Sequence, residues 1–369
     1  AHPPEPGRRG CGQSVTGNPP RELVPGFERP YFLAGLAGYS DGAMRLVSRS
    51  YGCPFCVTES LQAETLLAGG KGLEKHHPDR WLDGLRRDSL SGSGFAADWG
   101  KNVAAHSDDH PLAAQLIGAE PEIMAAAADR LLSWPFEVID INLACPSKKS
   151  RRRRPCGGSL LREPDLAIEI VRAVLRAVSG RVPLTVKLRR AYDDSLEMAR
   201  AFDRILEGVL ELGCAWTTVH ARTVEQRYDG PSTWPFLKDL TRRFPGARIF
   251  GSGDVFEARD IFRMIEETGV AAVSVARGAI GNPWIFRQAA QIERGESPTP
   301  PSGAEFRDVL LEHGRLARAL HGEEVAGRLM RKFGIQMSRH HPEAERIRGA
   351  FVAVKSYEEW RRLVESVAY

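Results

Sequence analysis

Short apolar runs rich in β-formers recur along the chain between longer amphipathic stretches. In order they are "YFLAGL" (31–36), "FCVTE" (55–59), "LAAQLIG" (112–118), "FEVIDINLA" (136–144), "PLTVKLR" (183–189), "AWTTVH" (215–220), "ARIFG" (247–251) and "VAAVSVA" (270–276). Each has the length and composition of a buried strand. Between the later ones, "DLAIEIVRAVLRAV" (165–178), "LEMARAFDRILEGVLELG" (196–213) and "EARDIFRMIEETG" (257–269) carry apolar residues at i, i+3 and i+4, the helical spacing. Eight strands alternating with helices predict an α/β fold, a closed (β/α)₈ TIM barrel. The rival is an open doubly wound sheet, which would place a glycine fingerprint after its first strand. "AGLAGYSD" lacks that G-x-G-x-x-G spacing.

The pattern changes after "GESPTPPSG" (295–303), a Pro/Ser/Gly linker. Phe306, Val309, Leu310, His313, Leu316 and Leu320 then share one helical face, and Ser356 with Glu359 has capping-box spacing before a last helix. The chain therefore divides into a flexible leader at 1–29, rich in Pro, Gly and Arg, a barrel at 30–295 and a small helical domain at 304–369. His340 and His341 are expected on a solvated helix end. The stretch from Leu61 to Pro111, with "SLSGSG" (89–94), is expected to hold a surface loop or short helix.

The bulk numbers leave this picture standing. The 369 residues are 42% hydrophobic and 27% charged, ordinary for a globular protein. No apolar run approaches the ~18–20 residues that span a bilayer, so no membrane role is expected. Six cysteines scattered through so long a chain fit a reducing, cytoplasmic setting better than a disulfide scaffold. With a net charge of only +4, polyanion binding has to come from local patches. The clearest patch is "KKSRRRR" (148–154), directly after Cys145-Pro146; its plain alternative is a solvated loop.

A barrel of this kind does its chemistry at the C-terminal ends of its strands. Those ends carry Glu59, Gln115, Asn142, Cys145, Lys187 and His220. Each alone could be a satisfied polar residue, but six on one rim predict a polar pocket. After the last two strands come "GSGD" (251–254) and "ARGAIGNPW" (276–284), where such barrels bind phosphate through glycine-exposed N–H groups. Gly251, Gly253, Gly278 and Arg277 thus point to a phosphorylated cofactor, with flavin mononucleotide (FMN) as the candidate. Lys187, inside "TVKLR", suits an electron-rich ring beside it, or else a buried ion pair with a glutamate. Cys53 and Cys56 form "CPFC", which could be a redox pair or, with His76-His77, a zinc site; the apolar strand around Cys56 speaks for plain packing, and no metal is expected. Cys156, before Gly157-Gly158, reads as a turn residue.

"LAGLAGYSD", "TES", "QLIG", "INLACPSKK", "TVKLR", "VHARTVEQRYDGPSTW", "GSGDV" and "ARGAIGNPWIF" together resemble the tRNA-dihydrouridine synthases, in the same order, over about residues 31–290. "GRLMRKF" (327–333) in the helical tail fits as well. The resemblance implies FMN-dependent reduction of a specific uridine in tRNA to 5,6-dihydrouridine, with NADPH or NADH as reductant. It implies hydride transfer from flavin N5 to uracil C6 and protonation of C5 by Cys145. Gln115, Lys187, His220, Gly251, Ser252, Gly253, Asp254, Ala276 and Arg277 match flavin-contacting positions. Asn142 matches a substrate-facing asparagine, and Lys149, Arg151, Arg152 and Arg222 are expected on the tRNA. An ordinary thiol, with a pKa near ~8.5, is mostly protonated at neutral pH and so suits a proton donor.

The departures from the family are Gly35 for proline, Ser252 for asparagine, Ala276 for glycine and Ala221 for glycine. A small-molecule FMN barrel, of dihydroorotate or enone type, is the second reading; an RNA-binding barrel without catalysis is the third. The basic loop and helical tail speak against the former, and Cys145, Lys187 and His220 together against the latter. No feature points to an obligate protein partner.

Overall fold

The computed structural model describes residues 24–68, 107–146 and 155–367. Among them nine parallel strands form one sheet: β1 (Tyr31–Leu33), β2 (Cys56–Val57), β3 (Leu61–Gln62), β4 (Leu112–Ile117), β5 (Val138–Leu143), β6 (Leu184–Arg189), β7 (Trp216–His220), β8 (Ile249–Ser252) and β9 (Ala272–Val275). The order is β2-β1-β9-β8-β7-β6-β5-β4, and β2 also pairs with β4, which closes an eight-stranded TIM barrel. β3 is a two-residue extension that pairs only with β4. The eight apolar runs therefore all contribute a barrel strand.

Period-two alternation decides what each strand offers to each side. In β5, Ile139, Ile141 and Leu143 join the apolar layer under the helices. Val138, Asp140 and Asn142 face the other way, into the barrel. In β6, Val186 and Leu188 face outward and Thr185, Lys187 and Arg189 face inward. The interior is consequently layered. Its base is apolar: Phe32, Phe55, Val57, Ala113, Val138, Trp216, Phe250 and Ala272. Above it, towards the strand C-termini, the inward positions turn polar.

The base is plugged by a segment that composition suggested was part of a flexible leader. Val24 and Phe27 are fully buried. Phe27 stacks on Phe55 with ring centroids 4.7 Å apart and meets Phe32, Trp216 and Phe250 edge-on. The barrel's own packing thus begins by Val24, not at residue 30. One phenylalanine in a polar segment carries no periodicity, which is why the pattern missed it.

The helices Gly303–His321, Glu323–Met337, Ala344–Ala353 and Tyr357–Ser366 follow the barrel. Ser302 and Glu305 form a reciprocal capping box at the first, and the Ser356 hydroxyl accepts the Glu359 N–H at the last. Phe306, Val309, Leu310, His313 and Leu316 are buried, as their shared face predicts. The layer is tied to the loop after β1. Asp41 caps the Gly42–Ser50 helix by accepting the Met44 N–H, and its other oxygen lies 2.6 Å from His321 Nε2. Lys332 donates to the Gly38 carbonyl and sits 3.7 Å from the Tyr39 ring centre. The expected solvated end holds only in part: His341 is buried against Phe306, and His340 is half-buried against Trp284. The expected insert after Leu61 falls mostly at 69–106, outside the described residues.

Two expectations follow. Phe27→Ala removes a fully enclosed ring from the barrel base and should lower unfolding free energy by ~3–5 kcal/mol in chemical denaturation; a loss below ~1 kcal/mol would mean that the plug contributes little. His313 is held down to about 4 by burial, with Asp41 pulling the other way. Its unfolded-state value is near ~6.5, so the stability tied to its neutral form is intact above that pH and lost as pH falls towards about 4. His313→Leu should therefore flatten the fall in stability between those values, by on the order of 3 kcal/mol; parallel profiles would contradict it.

Candidate active site

The strand C-termini open into a cleft at the mouth of the barrel. Ser60, Asn142, Cys145, Lys187, Arg189, His220, Ser252–Asp254, Ala276 and Arg277 line it. Sequence-expected residues from β5, β6, β7 and the loops after β8 and β9 thus share one cleft. Gln115 lies one layer below, in the interior with Asp140, Thr185 and Lys187. Gly251 lies on β8, its Cα packed towards Met264. Lys149, Arg151 and Arg152 lie outside the described residues.

Positive charge dominates the rim. Lys187, Arg189, Arg222 and Arg277 are close enough to His220 to depress its pKa well below the ordinary imidazole value, after burial itself, which is the largest cause. A neutral His220 accepts weakly at Nε2 from Arg222 Nη1, 3.4 Å away. Lys187 falls to about 8 through burial, and Asp140 offsets part of that drop. Among the described residues its ammonium makes no hydrogen bond or ion pair, so neither the cation nor its charge is taken by a glutamate. Arg189 falls to about 10, again by burial. It donates from Nε to the Ala144 carbonyl at 2.9 Å, and from Nη1 to the Thr223 and Arg227 carbonyls at 2.7 Å each.

Asp254 organises the other half of the rim. Both its oxygens accept from Arg222 Nη2 at 2.7 Å, one accepts from Arg277 Nη2 at 3.1 Å, and the other accepts the Ser232 N–H at 2.7 Å. Arg222 is buried, and it also donates to the Gly230 carbonyl. Its guanidinium is engaged by the protein, so it supports the rim rather than lining it. Arg277 remains at the surface of the cleft, beside the half-exposed rings of Tyr228 (51%) and Phe256 (43%).

The turn between these groups leaves backbone donors free. Gly253 has φ +116, and a Cβ there would meet Ser232 Oγ at 2.3 Å, so only glycine fits. Among the described residues the N–H groups of Gly253 and Asp254 have no intrachain acceptor. Two free donors beside Arg277 suit an anion such as a phosphate. Across the cleft, a Cβ on Gly35 would lie 2.3 Å from the Thr58 carbonyl. The glycine that departs from the family's proline therefore matches a backbone that leaves no room for a ring.

Cys145 sits at the start of the loop after β5, partly exposed in the cleft. Its N–H is accepted by Asn142 Oδ1 at 3.0 Å, and its carbonyl accepts the Gly158 N–H at 3.0 Å. Cys156 caps the short helix Gly157–Arg162, and burial pushes its thiol up to about 11. Cys53 and Cys56 are buried, with sulfurs 3.7 Å apart, and neither lines the cleft.

Three contributors were not singled out from sequence: Arg189, Asp140 and Ser60. The first two were readable. Each is two residues from a flagged position on its strand, Arg189 from Lys187 and Asp140 from Asn142, and alternation puts both on the same side. Ser60, in the loop beyond β2, carried no such signal.

A family model described as dihydrouridine synthase matches residues 96–368. The probable tRNA-dihydrouridine synthase of Mycobacterium tuberculosis (strain ATCC 25618 / H37Rv) is 32% identical over 256 residues, which is 69% of this chain and 65% of that protein. The tRNA-dihydrouridine synthase B of Xanthomonas campestris pv. campestris is 32% identical over 252 residues, covering 67% of this chain and 74% of the relative. Among solved structures, histamine dehydrogenase from Rhizobium sp. 4-9 superposes with a TM-score of 0.50 at 15% identity, covering 80% of this chain and 48% of that one. That likeness extends to the fold alone.

The Asp254 network gives a direct expectation. Asp254→Ala leaves Arg222 buried without its carboxylate and should cost ~3–5 kcal/mol of unfolding free energy. Asp254→Asn, which keeps one acceptor, should cost less. A loss under ~1 kcal/mol for the alanine variant would show that Arg222 finds other partners.

Proposed function

The chain belongs to the dihydrouridine synthase family, and from that premise we propose that it reduces a specific uridine of tRNA to 5,6-dihydrouridine, with FMN as cofactor and NADPH or NADH as reductant. The observation that carries this reading is a single cleft in which a partly exposed thiol, Cys145, faces a rim of cations and free backbone donors. In this reading the barrel, from Val24 to about 295, does the chemistry, the helices beyond 304 grip the tRNA, and the enzyme works in the cytoplasm. Among the described residues no helix is long and apolar enough to cross a membrane.

The residues present suit an anionic, planar cofactor. Arg277 and the N–H groups of Gly253 and Asp254 would hold its phosphate, with Gly251, Ser252 and Ala276 shaping the wall. Lys187, Gln115 and neutral His220 would help hold its ring system, with Lys187 supplying positive charge. When bound, FMN supplies the hydride. The chain's own part is to seat the uracil and deliver a proton. The base has to leave its stack to reach the cleft. Cys145, anchored at both its N–H and its carbonyl, presents a thiol there as general acid towards uracil C5. Arg189 holds the same loop through the Ala144 carbonyl. Lys149, Arg151 and Arg152 follow in sequence and would contact phosphates, which makes tRNA affinity fall with salt.

The test uses full-length protein with FMN, NADPH and an unmodified tRNA transcript, with dihydrouridine counted by mass spectrometry. Wild type should form dihydrouridine, and Cys145→Ala should slow it by ~10²-fold or more. Equal rates would remove the proton-donor role. A flavin-loaded protein that oxidises NADPH but leaves tRNA unchanged would move the small-molecule reading to the front.

A further inference from the structure

We propose that Asp140, a buried carboxylate with no part in the chemistry above, is a positioning residue that fixes the backbone of Cys145 through a relay of two side-chain amides. The inference deepens the reading of Cys145 as proton donor and, for its catalytic consequence, rests on it.

The relay can be followed atom by atom. Asp140 Oδ1 accepts from Thr185 Oγ1 at 2.7 Å, and Oδ2 accepts from Gln115 Nε2 at 2.8 Å. The Gln115 Oε1 at the other end of that amide accepts from Asn142 Nδ2 at 2.7 Å and from the Ser60 hydroxyl. Ser60 Oγ in turn accepts the second Asn142 Nδ2 hydrogen at 2.7 Å. Asn142 Oδ1 then accepts the N–H groups of Ala144 at 2.9 Å and Cys145 at 3.0 Å. Asp140, Gln115 and Asn142 are all buried.

The polarity of this chain is determined from both ends. Backbone N–H groups at Ala144 and Cys145 can only donate, so Asn142 must turn its oxygen to them and its nitrogen to Gln115. Gln115 must then turn its oxygen to Asn142 and its nitrogen down, where a pure acceptor has to wait. Asp140 is that acceptor. Each amide's orientation is correct only because the next group agrees. An apolar residue at 140 would leave Gln115 Nε2 buried without that acceptor and free the amide to turn over. Asn142 has both donors and its acceptor engaged, so its contribution to the site passes through the loop it holds.

This placement also separates the relay from simple electrostatics. Asparagine at 140 can still accept from Gln115 with its oxygen and offer its nitrogen to the Thr185 hydroxyl. It keeps the polarity and loses the charge. Valine loses both.

The experiment measures two properties of Cys145 in the purified full chain: amide exchange at Ala144 and Cys145, and alkylation of the Cys145 thiol by iodoacetamide, quantified by mass spectrometry. Asp140→Val should change both by about 3- to 10-fold, as expected for loss of one buried hydrogen bond holding the loop. Asp140→Asn should stay within about twofold of wild type, because the relay survives. Ser60→Ala, which removes one bridge between the amides, should move both in the direction of the valine variant. A folded Asp140→Val protein with unchanged exchange and alkylation overturns the proposal. So does an asparagine variant that behaves like valine, since charge would then be the cause. If the valine variant does not fold, an unchanged Ser60→Ala overturns it. These readouts need no substrate, so failure of the relay stays distinct from failure of the proton-donor role, which Cys145→Ala reports through dihydrouridine formation.

Discussion

Among the described residues, the mouth of this barrel gathers more positive charge than the carboxylates beside it neutralise. Asp254 answers Arg222 and Arg277, and three backbone carbonyls receive Arg189. Among the described residues Lys187 has no ion-pair partner, and Asp140, a carboxylate whose own pKa burial pushes up, offsets only part of the effect of burial on it. Burying a cation without a partner is costly, so the arrangement makes physical sense when an anion shares the cleft. Much else in the site follows from that imbalance. It adds to the burial that keeps His220 neutral, and it suits the free N–H groups of the Gly253–Asp254 turn to an anion.

The barrel supports this charge by layering. Parallel strands send alternate side chains inward, and here those side chains change from aromatic at the base to hydroxyl and amide in the middle and to cationic at the rim. Phe27 packs into the bottom among the aromatic rings of the base. In that middle layer Asp140, Gln115, Thr185, Ser60 and Asn142 hydrogen-bond to one another and hold the loop of Cys145. The helical layer is attached on the same side of the molecule, through Asp41 to His321 and through Lys332 to the loop after β1. A substrate held by those helices would therefore lie near the cleft.

Much of this was legible in the chain. Lys187, Gln115 and Cys145 stood out because a polar group inside or just after an apolar run has few bland explanations. The glycines of "GSGD" stood out because only they tolerate the close turn that Gly253 makes. Arg222 was legible as an arginine but not as a buried one, since its partners, Gly230 and Asp254, come from loops 8 and 32 residues later. Asp140 and Arg189 needed only the period-two rule carried one step further along strands already identified. Phe27, His340 and His341 are different. Their burial comes from long-range packing against Phe55, Trp284 and Phe306, and no local pattern announces it.

Excess positive charge and free backbone donors suit this cleft to a phosphate-bearing cofactor. Titration of flavin-free protein with FMN and with riboflavin, followed by quenching of flavin fluorescence, tests it most directly. The two ligands differ only in the phosphate. FMN should bind at least ~10²-fold more tightly, the effect of charge-assisted hydrogen bonds from Arg277 and the Gly253–Asp254 turn. Equal affinity for the two, or binding of neither, would contradict it.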